Sequence, residues 1–292
     1  MAVPKTAALP LGYAPAGPPP IAATATKKRG GRIGACSAVS APARSDSEPT
    51  ALDCDRFSRD PVPATTMYIG HFAPALAASA ATPDAPRLGT LFVAAQLVDL
   101  AFFAFVIMGV ENMRVVPGII AMNPMDLYHM PYTHSLLGAT LWGLGFGLAV
   151  LAVTRNLTAG IWAAVVVASH WLLDLLVHRP DLTLDGGPQK LGLGLWDYPL
   201  LAIPLELALI GLGFWLFLRN SRGPVGPPLI LVAVMLLFQA VNWFAPQPEE
   251  MSIALPLVAL LSYAILVALA RWVGTTRRHR RAAGLAMARY RR

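Results

Sequence analysis

The chain has 292 residues, 55% of them hydrophobic and 13% charged, where ordinary soluble domains carry roughly 45–50% and about 25%. That composition excludes an average soluble enzyme and makes a membrane the first candidate for solvent. The net charge of +7 sits at the two ends: eight Lys and Arg lie in residues 1–66 and eight in 271–292, whereas residues 67–270 hold seven against eleven acidic groups, so a global basic surface for nucleic acid is not indicated.

Residues 1–66 are rich in Pro, Ala, Ser and Thr, with Gly-Pro-Pro-Pro at 17–20 and Lys-Lys-Arg-Gly-Gly-Arg at 27–32. They contain no apolar run long enough for a signal-peptide core, so the expectation is a disordered leader. Composition changes abruptly at Met67, which opens MYIGHFAPALAASA. Met67 therefore reads as the true start, with the leader either a tail or no part of the native protein. Cys36 and Cys54 both fall in this leader and form no CxxC pair, so they say little about redox compartment.

A helix needs about 20 apolar residues to cross the roughly 30 Å hydrocarbon core. Residues 68–81 are apolar but too short and contain Pro74, which reads as a re-entrant or interfacial helix. Six later segments meet the requirement: 88–110, 135–153, 159–178, 198–218, 227–245 and 252–273. The predicted fold is thus an all-α polytopic membrane bundle of about six transmembrane helices plus a short N-terminal helix. Tyr132, Trp196, Tyr198, Trp243 and Trp272 fall near span ends, as an aromatic belt does. Short loops rich in Lys and Arg stay cytoplasmic, so the Arg-rich tail places the C-terminus inside. Counting back, the loops with Arg155 and with Arg219 and Arg222 are also inside, and residues 111–133, 179–197 and 246–251 are outside. No internal repeat is evident, which argues against an inverted-repeat transporter.

Ionisable side chains within spans are costly, from about 2.5 kcal/mol upward at the bilayer centre, and are functional candidates by default. Asp99 lies in LFVAAQLVDLAFF, His170, Asp174 and His178 in SHWLLDLLVH, and Glu206 in LAIPLELALI; His129 and His134 flank the second span and His71 follows Gly70. Residues 170, 174 and 178 are four apart and share one helix face. Two histidines and a carboxylate on one face offer nitrogen and oxygen to a divalent cation such as zinc. The topology puts His129, His134, His170, Asp174 and His178 in the outer half of the protein, with Asp99 approaching from mid-span. A lone intramembrane histidine is usually an interhelical hydrogen bond, but His134, His170, Asp174 and Asp99 together favour a metal or catalytic site over a structural network. Glu206 reads as a structural partner of Arg179 or Gln96. The spans 227–245 and 252–273 lack ionisable residues apart from Arg271, and nothing in their sequence assigns them a role beyond anchoring.

MYIGHF, AAQLVDL, HMPYTHSLL, SHWLLDLLVHRPDL and GLGLWDYP, in that order, resemble a family of bacterial inner-membrane metal-dependent hydrolases. These are the LexA-regulated membrane-associated group, distantly similar to zinc-dependent phospholipase C. The resemblance covers residues 67–220, and SHWLLDLLVHRPD is its most specific part. It implies a hydrolase-like core over 67–220, after which the apolar runs place two further spans in 221–273 and the Arg-rich composition a basic cytoplasmic tail in 274–292. It also implies that His71, Asp99, His134, His170 and Asp174 are the metal ligands, with His129 and His178 as outer members. In the phospholipase-like relatives the corresponding residues hold zinc that activates water against a phosphodiester. This chain has Gln96-Leu97-Val98-Asp99 where many members carry an acidic Pro-Asp-x-Asp run, which favours one or two metals over three.

The expected mechanism has His134, His170 and Asp174 holding a zinc-like ion, with Asp99 and His71 completing or orienting the set. His129 or His178 protonates the leaving group. A site at the membrane boundary suggests an amphiphilic substrate, a phospholipid or lipid-linked phosphate. The rival is a non-catalytic transporter or proton relay using the same His and Asp residues. A relay should continue across the bilayer, yet 88–96, 159–167 and 211–218 contain no ionisable residue.

Overall fold

The computed structural model describes residues 69–280. The expectations for the leader, including Met67 as the start, and residues 281–292 of the tail lie outside the described residues. Six helices are long and apolar enough to cross a membrane: α2 (Leu88–Ile107), α3 (Leu136–Thr154), α4 (Leu157–Val177), α5 (Pro199–Asn220), α6 (Gly226–Phe244) and α7 (Ala254–Thr276). They are preceded by a 3-10 turn, Ile69–Phe72, that runs into a short helix α1 (Ala73–Ala81). The protein is a multi-pass helical bundle with little sheet.

The first segment is, as its length requires, too short to span a membrane, and it is enclosed by the longer helices. Ile69, Gly70, His71 and Phe72 are all buried, and α1 packs chiefly against α5 and α2. Pro74 falls in the first turn of α1, where its missing N–H was never needed for an intrahelical bond. The Ala-rich sequence lets α1 lie close to α5, where a Cβ on Gly213 would sit 3.0 Å from the Ala73 carbonyl oxygen. Ile69 N–H donates to Gln239 Oε1 of α6 at 3.2 Å, tying the turn to the C-terminal helices.

Helices α3 and α4 form a tight antiparallel pair, joined through Arg155 in the left-handed region (φ 53°) and Asn156, whose side chain accepts from Ala159 N–H and caps α4. Their approach depends on small residues, because a Cβ on Gly147 would come 2.7 Å from the Gly160 carbonyl oxygen. Ser135 caps α3 by accepting from Gly138 N–H. This pair fixes His134, just before α3, against His170 on α4. The connection between α2 and α3 is more ordered than a loop: β1 (Asn112–Val115) pairs antiparallel with β2 (Met125–His129). At the other end of the bundle β3 (Ser221–Arg222) pairs with β4 (Arg278–His279).

Candidate metal centre

Four elements converge on one buried point. The 3-10 turn brings His71, α2 brings Asp99, the segment before α3 brings His134, and α4 brings His170 and Asp174, with His178 at its C-cap. His71 Nε2 lies 3.1 Å from Asp174 Oδ1. His170 Nε2 lies 3.3 Å from Asp174 Oδ2 and 3.4 Å from Asp99 Oδ1. His134 Nε2 lies 3.3 Å from Asp99 Oδ1 and 3.7 Å from Asp174 Oδ2. His71 and His170 stack with ring centroids 4.0 Å apart. Two triads have ligand atoms within 4.8 Å of one another, His71 with His170 and Asp174, and Asp99 with His134 and His170. They share His170.

The hydrogen bonds behind the cluster set which ring nitrogen faces it. His170 Nδ1 is 2.8 Å from the Ala95 carbonyl oxygen. A carbonyl only accepts, so in the neutral ring the proton is on Nδ1 and the lone pair on Nε2 points inward. His134 Nδ1 is 2.8 Å from Thr133 Oγ1, whose hydroxyl donates to Glu111 Oε2 at 2.6 Å. With that hydroxyl proton committed to Glu111, Thr133 Oγ1 accepts from His134, and Nε2 of His134 also faces inward as a lone pair. Glu111 is fully buried and its other oxygen accepts from the Tyr132 and Thr133 N–H groups.

Asp99 is held from the opposite side of the bundle. Tyr263 Oη on α7, itself fully buried, donates to Asp99 Oδ2 at 2.8 Å, which leaves Oδ1 to His134 and His170. His178 is placed differently from the others. Its Nδ1 is 3.0 Å from Asp181 Oδ1 and its Nε2 3.5 Å from Asp174 Oδ1. Burial alone would lower its pKa, but Asp181 and Asp174 outweigh that and hold it up at about 10. His71 moves the other way, because burial and then the neighbouring His170 push it below its ordinary value despite Asp174. The turn therefore supplies a neutral imidazole and the α4 C-cap a charged one.

A set of inward lone pairs facing carboxylate oxygens is unsatisfied without a cation. His170 Nε2 and Asp174 Oδ2 are buried and make no hydrogen bond, and orphaned groups of this kind are rare in folded proteins. Three histidines and two carboxylates at this spacing fit a divalent cation of the zinc class.

His129 is not brought to the cluster. It ends β2 opposite Asn112, exposed, and is absent from the cavity lined by His71, Asp99, His134, Asp174 and His178. Glu206, by contrast, lines that cavity and pairs with neither Arg179 nor Gln96. Arg179 is engaged by Asp126 and Asp181. Glu206 interacts with Trp196, and neither carboxyl oxygen accepts a hydrogen bond of standard geometry among the described residues.

Glu111, Thr133, Asp181 and Tyr263 were not singled out from the sequence. Asp181 had a usable signal, standing three residues after His178 where a turn brings the two together. Glu111 is 22 residues from Thr133 and Tyr263 is 164 from Asp99, and no spacing rule links such pairs. Comparison with protein-family models, with curated proteins and with solved structures returns no match to this chain. Fold and site together define the class: a multi-pass helical membrane protein with a buried His/Asp cluster facing a cavity.

Proposed function

We propose that this chain is an integral membrane metal-dependent hydrolase that acts on a phosphoester or lipid-linked substrate with a zinc-class divalent ion. The observation that carries the reading is the orientation of the histidines. Nδ1 of His134 and His170 is tied to an acceptor behind the cluster, so that Nε2 of each faces Asp99 and Asp174. A purely structural network would pair these atoms with one another as donors and acceptors. The resemblance of residues 67–220 to bacterial inner-membrane hydrolases supports the same reading, as does the Arg-rich tail for an inner-membrane protein with its C-terminus cytoplasmic.

A divalent ion, if held here, would supply Lewis-acid activation of water, whose pKa such ions lower from about 15.7 towards 7. The residues divide the remaining work. His71, His134, His170, Asp99 and Asp174 would hold the ion. His178, braced by Asp181, lines the cavity and would be the proton donor to a leaving oxygen. Phe102, Phe103, Ile120 and Met125 give the cavity an apolar wall, which suits the apolar part of an amphiphilic substrate. Against a transmembrane relay stands the lack of continuation: besides Asp99, His170, Asp174, Glu206 and Tyr263, which is itself bonded to Asp99, the six spans carry only the near-terminal Arg219 and Arg271 as ionisable residues.

The test is elemental analysis of the full chain purified in detergent, beside a His170→Ala, Asp174→Ala double variant. One or two equivalents of zinc or manganese in the wild type, absent from the variant, support the reading and justify assays on phosphodiesters and lipid phosphates. A folded wild type that takes up no metal on reconstitution removes the hydrolase mechanism.

A further inference from the structure

The two C-terminal spans carry no metal-ligand residue, and neither belongs to the segment that resembles the hydrolases. Yet each makes one buried, long-range polar bond, and both bonds end on an element that carries a proposed ligand. Tyr263 Oη of α7 donates to Asp99 Oδ2 at 2.8 Å. Gln239 Oε1 of α6 accepts from Ile69 N–H at 3.2 Å, two residues before His71. Tyr263 is fully buried and Gln239 is 1% exposed. Such bonds are retained at a cost in an apolar bundle, since the side chains must be desolvated to make them.

We infer that α6 and α7 are a positioning hairpin for the metal site, acting through Tyr263 on Asp99 and through Gln239 on the turn that bears His71; this rests on the metal-site reading above.

The chemistry differs at the two contacts. A carboxylate has two oxygens and can swing between one-oxygen and two-oxygen coordination. With Oδ2 occupied by the Tyr263 hydroxyl, Asp99 presents Oδ1 alone, at 3.3 and 3.4 Å from the two histidine nitrogens it must share an ion with. Removing the hydroxyl frees the carboxylate to rotate without removing the ring that packs beside Phe103. Gln239 acts on backbone instead. The N–H of Ile69 belongs to the start of a 3-10 turn and has no intrahelical acceptor, so the glutamine oxygen fixes where that turn begins and hence where the His71 ring stacks on His170. Groups that hold a ligand from behind typically contribute 10- to 100-fold, as an order of magnitude of roughly that size, to metal affinity.

The experiment is cobalt(II) titration of the full chain in detergent, read by the d–d absorption band and followed by zinc competition. It uses the wild type, Tyr263→Phe, Gln239→Leu and Leu261→Ala, the last a control two residues from Tyr263, on the opposite face of α7 and 61% exposed. The expected result is unchanged stoichiometry in all four, with affinity about 10- to 100-fold weaker in Tyr263→Phe and about 10-fold weaker in Gln239→Leu. Tyr263→Phe should also change the band shape, which a packing defect does not do, while the metal-free Tm stays with that of the control. Wild-type binding with an identical affinity and spectrum in Tyr263→Phe overturns the inference and leaves the metal site standing. So does a Tyr263→Phe variant whose metal-free Tm falls in step with its affinity, since Tyr263 is then a packing residue. A wild type that binds no cobalt removes the metal-site reading and this inference with it.

Discussion

The bundle holds two polar sites, one towards each end, and they are built on opposite principles. At the β3–β4 end, Arg277 is 7% exposed and uses four of its five guanidinium N–H groups: Nε donates to Ser221 Oγ, Nη1 to the Gly223 and Pro224 carbonyls, and Nη2 to the Ser221 carbonyl. Each guanidinium nitrogen there has at least one acceptor, and the cation also lies over the Phe217 ring. At the other site His170 Nε2 and Asp174 Oδ2 face each other 3.3 Å apart and bond to nothing. A closed network of the first kind clasps α5 to the end of α7. An open one of the second kind has room for a ligand, and in an apolar bundle that difference separates structure from function more clearly than the presence of polar residues does.

The largest expected effect sharpens the contrast. Asp174 touches four of the histidines, so Asp174→Asn should weaken zinc binding by more than about 100-fold, beyond what an outer partner contributes, in a calorimetric or competition titration. Arg277→Met should do the reverse. It strands the Gly223, Pro224 and Ser221 carbonyls and should cost about 2–4 kcal/mol of stability with zinc stoichiometry unchanged; a metal-deficient but stable Arg277→Met would break the comparison.

Next in size is the support behind His134. Thr133→Val keeps shape but deletes the link between His134 Nδ1 and Glu111, and should weaken zinc by about 10-fold. Equal affinity in Thr133→Val would mean that the inward lone pair of His134 does not depend on this chain.

A smaller effect is a pH dependence. The pKa of His178 is raised to about 10 by Asp181 and Asp174 against the opposing effect of burial, so the charged imidazole stabilises the metal-free fold. That contribution is fully present below the unfolded value of about 6.5. It is lost as pH rises through about 10. The Tm of metal-free protein should therefore fall on the alkaline side, and His178→Gln should flatten the fall; parallel curves would remove His178 as a charged residue of the site. The smallest effect is expected at Glu206. It lines the cavity but contacts no ligand, so Glu206→Gln should change zinc affinity by less than about twofold, and a larger loss would make it a ligand.

How far the sequence reveals this arrangement depends on the range of the interaction. Span number and class follow from apolar runs alone, because the bilayer imposes a length. The His170, Asp174, His178 stripe follows from a spacing of four, since the helix itself brings those groups together. His134 reads as a ligand and His129 as an outer member from HMPYTHS, and the hairpin register turns His129 out beside Asn112 while His134, just before α3, faces the cluster. Nothing local decides that. Glu206 reads as a structural partner of Arg179 or Gln96, yet Arg179 is drawn to Asp126 on β2, in a hairpin that apolar patterning does not announce. Tyr263 and Gln239 were hidden for a different reason: both sit in spans whose composition is that of a plain anchor, and their partners are fixed only by how α6 and α7 pack.

The central claim is that histidine nitrogens and carboxylate oxygens of this cluster bind a divalent ion. Zinc K-edge X-ray absorption of the full chain loaded with zinc tests it most directly. The account predicts a first shell of nitrogen and oxygen at about 2.0–2.2 Å, with the outer-shell scattering of at least two imidazole rings, lost in the His170→Ala, Asp174→Ala variant. Zinc surrounded by oxygen alone, without imidazole scattering, or a spectrum unchanged by the double substitution, would contradict it.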